Sequence, residues 1–213
     1  MKGLYHLLVS FQDILRGLVY RVIFPLAIRR RARRMTEQFL SYILPGTSLL
    51  DIGAGTGDFG REIVRQKGIR CIYLDRKRLF VHKPLHPLVL CDAHELAFCR
   101  DSFDTILLVT MLHHCRDPKR VIEEAKRVCR GHIVVVEDSF RGRWERYRMI
   151  LKDTLLNFEL FGHPRTFYAQ EDWERLFSAL GLEVRGKKEF WIRVLWVMRF
   201  RNVLYVLYNR DDR

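Results

Sequence analysis

No stretch of this sequence is long and apolar enough to span a bilayer. The longest run without Asp, Glu, Lys or Arg is the 13 residues Gln38–Leu50, interrupted by Pro45 and Gly46; a spanning helix needs about 20 apolar residues. No small-residue cleavage site follows the N-terminal apolar stretch, so no secretory signal is expected. Cys-x-x-Cys pairs are missing too. Cys71, Cys91, Cys99, Cys115 and Cys129 lie 20, 8, 16 and 14 residues apart, which argues against zinc fingers and disulfide frameworks. Their odd number and apolar neighbours suit thiols of a reducing compartment, so a cytoplasmic location is expected. No metal site is expected.

Acidic residues are scarce: 25 Asp and Glu face 38 Lys and Arg, for a net charge of +13. The imbalance belongs to the ends. Residues 1–45 carry 8 basic and 2 acidic side chains, and residues 185–213 carry 8 and 3, whereas the middle is nearly balanced with 22 and 20. Such ends suit an anionic surface, either nucleic acid or lipid headgroups.

What the 213 residues do contain is an apolar fraction of 48%, enough for a core. Leu4, Leu8, Phe11, Leu15, Leu18 and Val22 recur at helical spacing, so residues 4–23 read as an amphipathic helix that Pro25 ends. A second helix is expected over Ile28–Leu44, opening with Arg29, Arg30, Arg31, Arg33 and Arg34. Residues 1–45 thus form a helical extension, able to cap a cleft or to meet a membrane through residues 1–34. Beyond it, short apolar strands alternate with helices: Ser48–Gly53, Cys71–Asp75, Leu88–Asp92, Phe103–Thr110 and His132–Glu137. That alternation predicts an α/β fold with a mostly parallel sheet and helices on both faces. A helical insert is expected over 140–168, where Trp144, Tyr147, Leu151, Leu155 and Phe158 form one stripe among several arginines. Leu182–Phe190 and Val203–Tyr208 read as closing strands; the period of Trp191–Arg201 fits strand and helix alike.

The chemistry concentrates in Asp51-Ile52-Gly53-Ala54-Gly55-Thr56-Gly57-Asp58. A strand enters a glycine-rich turn that opens a helix, an anion-binding arrangement. Gly55-x-Gly57-x-x-Gly60, with Asp75 downstream, also matches the dinucleotide fingerprint. Asp51 argues against a pyrophosphate there, since like charges repel, and favours a ligand with an ammonium group.

These residues resemble the class I S-adenosylmethionine-dependent methyltransferases, particularly the group that includes quinone-biosynthesis enzymes. The resemblance covers about residues 45–185. It implies a seven-stranded Rossmann-like sheet, with 46–213 as the S-adenosylmethionine-binding domain. It also implies roles: Asp51, Gly53, Ala54, Gly55 and Gly57 around the amino-acid end of the cofactor, Asp75 and Arg76 at the ribose, Asp92 and Ala93 at the adenine. Phe103-Asp104-Thr105-Ile106 through Thr110 and Leu112-His113-His114 lie along the transferred methyl. Methyl transfer needs alignment more than a strong base. His113 and His114, past a buried strand, are the catalytic candidates, with Glu137 and Asp138 as further bases. The acceptor expected is a small or lipid-like molecule. RNA, or a scaffold that binds the cofactor without turnover, is the alternative; peripheral contact at the inner membrane surface would fit the charged N-terminus.

Overall fold

The computed structural model describes residues 11, 14, 18, 25–78, 86–157, 166–194 and 198–209. Among them, seven strands form one sheet: β1 (Ser48–Ile52), β2 (Arg70–Asp75), β3 (Leu88–Leu90), β4 (Phe103–Val109), β5 (Cys129–Asp138), β6 (Leu182–Val194) and β7 (Met198–Asn209), in the order β3-β2-β1-β4-β5-β7-β6. The first five pair in parallel, and β7 runs antiparallel to both β5 and β6. The strand order reverses between β1 and β4, the place where open α/β sheets bind ligands at their carboxyl ends. The undecided stretch 191–201 belongs to the β6–β7 hairpin.

The helices are α1 (Pro25–Phe39), α2 (Asp58–Lys67), α3 (Pro118–Val128), α4 (Arg143–Asn157) and α5 (Gln170–Ala179). α3 starts as its sequence dictates: the Asp117 side chain accepts from Arg120 N, and Pro118 sits at the first turn. Val121, Ile122 and Ala125 of α3 join Trp173 and Phe177 of α5 against one face of the sheet. The opposite face is covered by Met35 and Phe39 of α1, Ile43 beyond it, and Ile63 of α2, all fully buried.

Part of the expected N-terminal helical extension belongs to that second face: Met35, Phe39 and Ile43 pack with Leu49, Val134 and Leu204. Arginine-rich α1 therefore buries one stripe and exposes the other. Most of the predicted helix 4–23 lies outside the described residues. Phe11, Ile14 and Leu18 are helical and each is more than half exposed. Residues 79–85, in the short β2–β3 connection, also lie outside them.

Gly60 sets how closely α2 approaches the sheet. A methyl added there would lie 2.5 Å from Tyr73 Cε1, 2.9 Å from Asp51 Oδ2 and 3.1 Å from Cys71 Sγ. Alanine normally favours a helix over glycine by about 0.8–1 kcal/mol. Gly60→Ala should instead lower stability by about 1–3 kcal/mol through overpacking. Gly142→Ala, which has open space around it, should stay within about 0.5 kcal/mol of the parent. Urea denaturation midpoints check both.

Candidate active site

At the carboxyl end of β1, Gly53, Gly55 and Gly57 all take positive φ, at 69°, 54° and 75°, a conformation that costs glycine little. Gly57 N donates to Ala54 O at 2.8 Å, and Ala54 N donates to Leu74 O at 3.0 Å, so the turn is tied to β2. Gly57 caps α2 without any side-chain hydrogen bond, leaving first-turn N–H groups other than that of Gly60 for a ligand. Asp75 on β2 closes the cradle: its Oδ2 accepts from Gly55 N at 2.8 Å and its Oδ1 from Lys77 N at 3.0 Å.

Asp51 is fully buried and turned beneath α2, where Oδ2 accepts from Gly60 N at 3.2 Å. Burial pushes its pKa up to about 7; the Gly60 hydrogen bond opposes the rise, and the charge of Asp75 adds to it. Asp92 lies on the exposed loop after β3, with Ala93 buried beside it. The N–H of His94 donates to Asp92 and, with the His94 ring and Arg76 nearby, holds this carboxyl below its usual range. Cys91 N donates to Asp75 O at 3.1 Å, joining this loop to the end of β2. α3 braces the same loop. Glu124 accepts from Leu96 N, and Arg127 donates to the carbonyls of Leu96 and Phe98.

Thr110, just after β4, has φ of 49°, a strained conformation for a β-branched residue and one that concentrates at functional sites. Its N–H donates to Val136 O at 2.7 Å, and Arg31 of α1 reaches its hydroxyl at 3.4 Å. The next residue, Met111, lies against the glycine turn: a methyl added at Gly53 would be 2.8 Å from Met111 Cβ. The sheet thus lines up Asp51, Gly53, Ala54, Gly55, Gly57, Asp75, Arg76, Asp92, Ala93 and Thr110 along the carboxyl ends of β1 to β4. Asp104, part of the same predicted motif, sits at the other end of β4. It ties Ser48 to Arg130 and has its pKa held low, first by the Arg130 guanidinium.

His113 and His114 follow in a short turn, Leu112–His114. His113 is 1% exposed. Its Nδ1 donates to Glu137 Oε2 at 2.5 Å, and Glu137 Oε1 accepts from Met111 N and Leu112 N. Phe167 stacks on the ring at 4.8 Å. Burial disfavours the charge on His113, but Glu137 and Asp153 outweigh it and raise the pKa to about 10. Glu137, weighed from sequence as a base, therefore serves to anchor the turn and the imidazole. Asp138 is buried at the end of the same strand.

Asp153 was not among the sequence candidates. It is buried on α4 one turn after buried Met149, whereas Trp144, Tyr147 and Leu151 are more than half exposed. The helix thus turns its acid inward and its aromatic stripe outward, the reverse of the usual amphipathic arrangement. The signal available was spacing: 149 and 153 lie opposite 144, 147 and 151 on a helical wheel.

The residues fit the methionyl and ribosyl parts of S-adenosylmethionine. A methyl added at Gly55 would meet nothing nearer than Gly53 O at 3.9 Å, so the turn faces open space bounded by backbone N–H groups and an acid. Asp51 yields a sign-specific prediction. Its pKa is raised above the unfolded value of about 3.9, so the native state holds the proton longer and stability falls as pH rises from about 4 to about 7. Asp51→Asn should remove that slope, by a few kcal/mol across the window. Chemical denaturation of both proteins between pH 4 and 8 checks it; parallel curves would contradict the assignment.

A family model described as a methyltransferase domain matches residues 26–186. The ubiquinone/menaquinone biosynthesis C-methyltransferase of Ralstonia pickettii is 28% identical over 152 residues, covering 65% of this chain and 60% of its own length. The chain therefore spans about 60% of the length of the curated relatives it matches. In fold, it is similar to an S-adenosylmethionine-dependent methyltransferase from Archaeoglobus fulgidus, with a TM-score of 0.66, 14% identity, and coverage of 84% of this chain and 94% of the other. It is also similar to the [4+2]-cyclase SpnF, with a TM-score of 0.63, 16% identity, and coverage of 83% and 80%. One architecture therefore carries more than one chemistry.

Proposed function

Because the chain belongs to the methyltransferase domain family, whose cofactor is S-adenosylmethionine, we propose that it transfers a methyl group to a small, lipid-like acceptor. The observation that carries this reading is the glycine turn of Gly53, Gly55 and Gly57 braced by Asp75. The cofactor supplies a methyl on a positively charged sulfur that is already a good leaving group. The chain's own work is to bind and align it.

In this reading the first-turn N–H groups of α2 and the backbone of Gly53 and Gly55 take the amino-acid end. Asp75 exchanges its bond to Gly55 for the ribose hydroxyls, Asp92 takes the adenine amino group, and Arg76 flanks both acids. Thr110 and Met111 line the path between the turn and His113. The two histidines are the catalytic candidates at the acceptor: His113 fixed by Glu137, and His114, less buried, beside it.

The lipid-like acceptor draws support from two features. The relatives include a ubiquinone/menaquinone biosynthesis C-methyltransferase. Exposed apolar residues also occur at helical spacing in two places, Phe11, Ile14 and Leu18, and Trp144, Tyr147 and Leu151. Both lie near arginines, an arrangement suited to an anionic membrane surface. Among the described residues, no helix is long and apolar enough to cross a membrane. Location at the inner membrane surface is part of this proposal.

Two expected outcomes follow from it. Isothermal calorimetry should give tighter binding of S-adenosylhomocysteine than of NAD, and Asp75→Ala should weaken it by about 2–4 kcal/mol if two ribose hydrogen bonds to a charged group are lost. An unchanged dissociation constant would remove Asp75 from the pocket. The full chain should also sediment with anionic liposomes at low salt and release at high salt, since each surface arginine contributes about 1 kcal/mol and salt screens it. Replacing Arg29, Arg30, Arg33 and Arg34 with Gln should weaken that binding. Tight, sequence-selective RNA binding lost in the same variant would instead favour an RNA acceptor.

A further inference from the structure

His113, His114 and Asp153 bring their side-chain nitrogens and oxygen together from two separate segments, the turn after β4 and the inner face of α4. The three ligand-type atoms all lie within 4.8 Å of one another. Asp153 Oδ1 is 3.5 Å from His113 Nε2 and 3.8 Å from His114 Nε2. Donors bound to one zinc-sized ion at about 2.0–2.1 Å in tetrahedral geometry stand roughly 3.3–3.5 Å apart. The cluster is therefore within a small side-chain adjustment of a coordination shell.

A second observation points the same way. His113 is 1% exposed, and its Nε2 makes no hydrogen bond of good geometry. It is aimed at Asp153 Oδ1 at 3.5 Å, the separation of two donors on one ion and long for a hydrogen bond. The far nitrogen, Nδ1, is held by Glu137 at 2.5 Å, and Glu137 is itself fixed by the N–H groups of Met111 and Leu112. A backbone-anchored carboxylate on the distal nitrogen is the support that orients a metal-binding imidazole and fixes which nitrogen faces the ion.

We propose that His113 Nε2, His114 Nε2 and Asp153 Oδ1 bind one divalent first-row transition ion of the zinc type, oriented by Glu137. Two imidazoles and one carboxylate suit such an ion rather than calcium or magnesium. Three protein ligands also leave a coordination position open. That position takes an oxygen of the acceptor, which narrows the acceptor class to molecules bearing a hydroxyl or carbonyl group. This last step rests on the transfer site proposed above; ion binding itself does not.

Equilibrium dialysis of the metal-stripped full chain against Zn2+, read by elemental mass spectrometry, tests the site without cofactor or acceptor. The wild type should take up one equivalent. His114→Ala and Asp153→Ala should each lose at least tenfold in affinity, and Glu137→Gln about 10–100-fold, while His86→Ala should match the wild type. Co2+ should give the visible bands of a nitrogen–oxygen site without the thiolate charge-transfer band that binding at Cys91 or Cys99 would produce. Circular dichroism reports whether each variant folds; where Asp153→Ala does not, Asp153→Asn and the Co2+ spectrum of the wild type carry the test. Uptake well below one equivalent, or variants that bind as the wild type does, would overturn the site. S-adenosylhomocysteine binding, measured on the same wild-type preparation, reports on the cofactor reading separately.

Discussion

Helix α2 rests on the sheet at Gly60, with room there for a hydrogen atom and little more. Tyr73 and Cys71 of β2 and Asp51 of β1 form the surface it rests on. That contact fixes the height of the helix start above the strand ends, and therefore the path of the glycine turn. Asp75 can reach Gly55 only because the turn lies at that height, and Met111 can pack on Gly53 for the same reason. The third glycine of the dinucleotide-like fingerprint is thus a packing residue. The buried Asp51 below it accepts a high pKa in return for holding the helix N–H at Gly60.

Across the same edge, β4 and β5 carry a different constraint. Glu137 ends β5 deep in the protein and spends one oxygen on two backbone N–H groups, the other on His113. Burying a carboxylate is costly unless it is fully partnered, so this network fixes the turn after Thr110 as firmly as Gly60 fixes the turn after Ile52. The two rigid turns face each other across the strand-order reversal. α1 reaches in from one side through Arg31, and α4 from the other through Asp153.

Much of this was legible in the sequence because it is local. The strands β1, β4 and β5 each carry a short apolar run, the glycine turn is contiguous, and Asp117-Pro118 announces a helix start. Other features depend on contacts that no window contains. α1 looks like a basic extension because five of its first residues are arginines from 29 to 34, yet its later stripe of Met35 and Phe39, with Ile43, completes one face of the core. α4 displays a stripe of large aromatics that reads as a buried face, yet the buried face is the one with Met149 and Asp153. Asp153 is marked in the sequence only by its place opposite the aromatic stripe, since its partners His113 and His114 lie some forty residues earlier. Asp104 shows the converse: it belongs to a recognisable motif, but its partners Ser48 and Arg130 place it at the structural end of the strand.

Because one fold of this kind also serves a [4+2]-cyclase, transfer itself has to be observed. The most direct measurement incubates the protein with methyl-labelled S-adenosylmethionine, a lipid extract, a total RNA fraction and a mixture of small phenols, each separately. The account predicts label in an organic-soluble small molecule from the lipid or phenol samples, and a loss of that label in the Asp75→Ala protein. Label confined to RNA, or no transfer into any sample by protein that binds the cofactor, would contradict it.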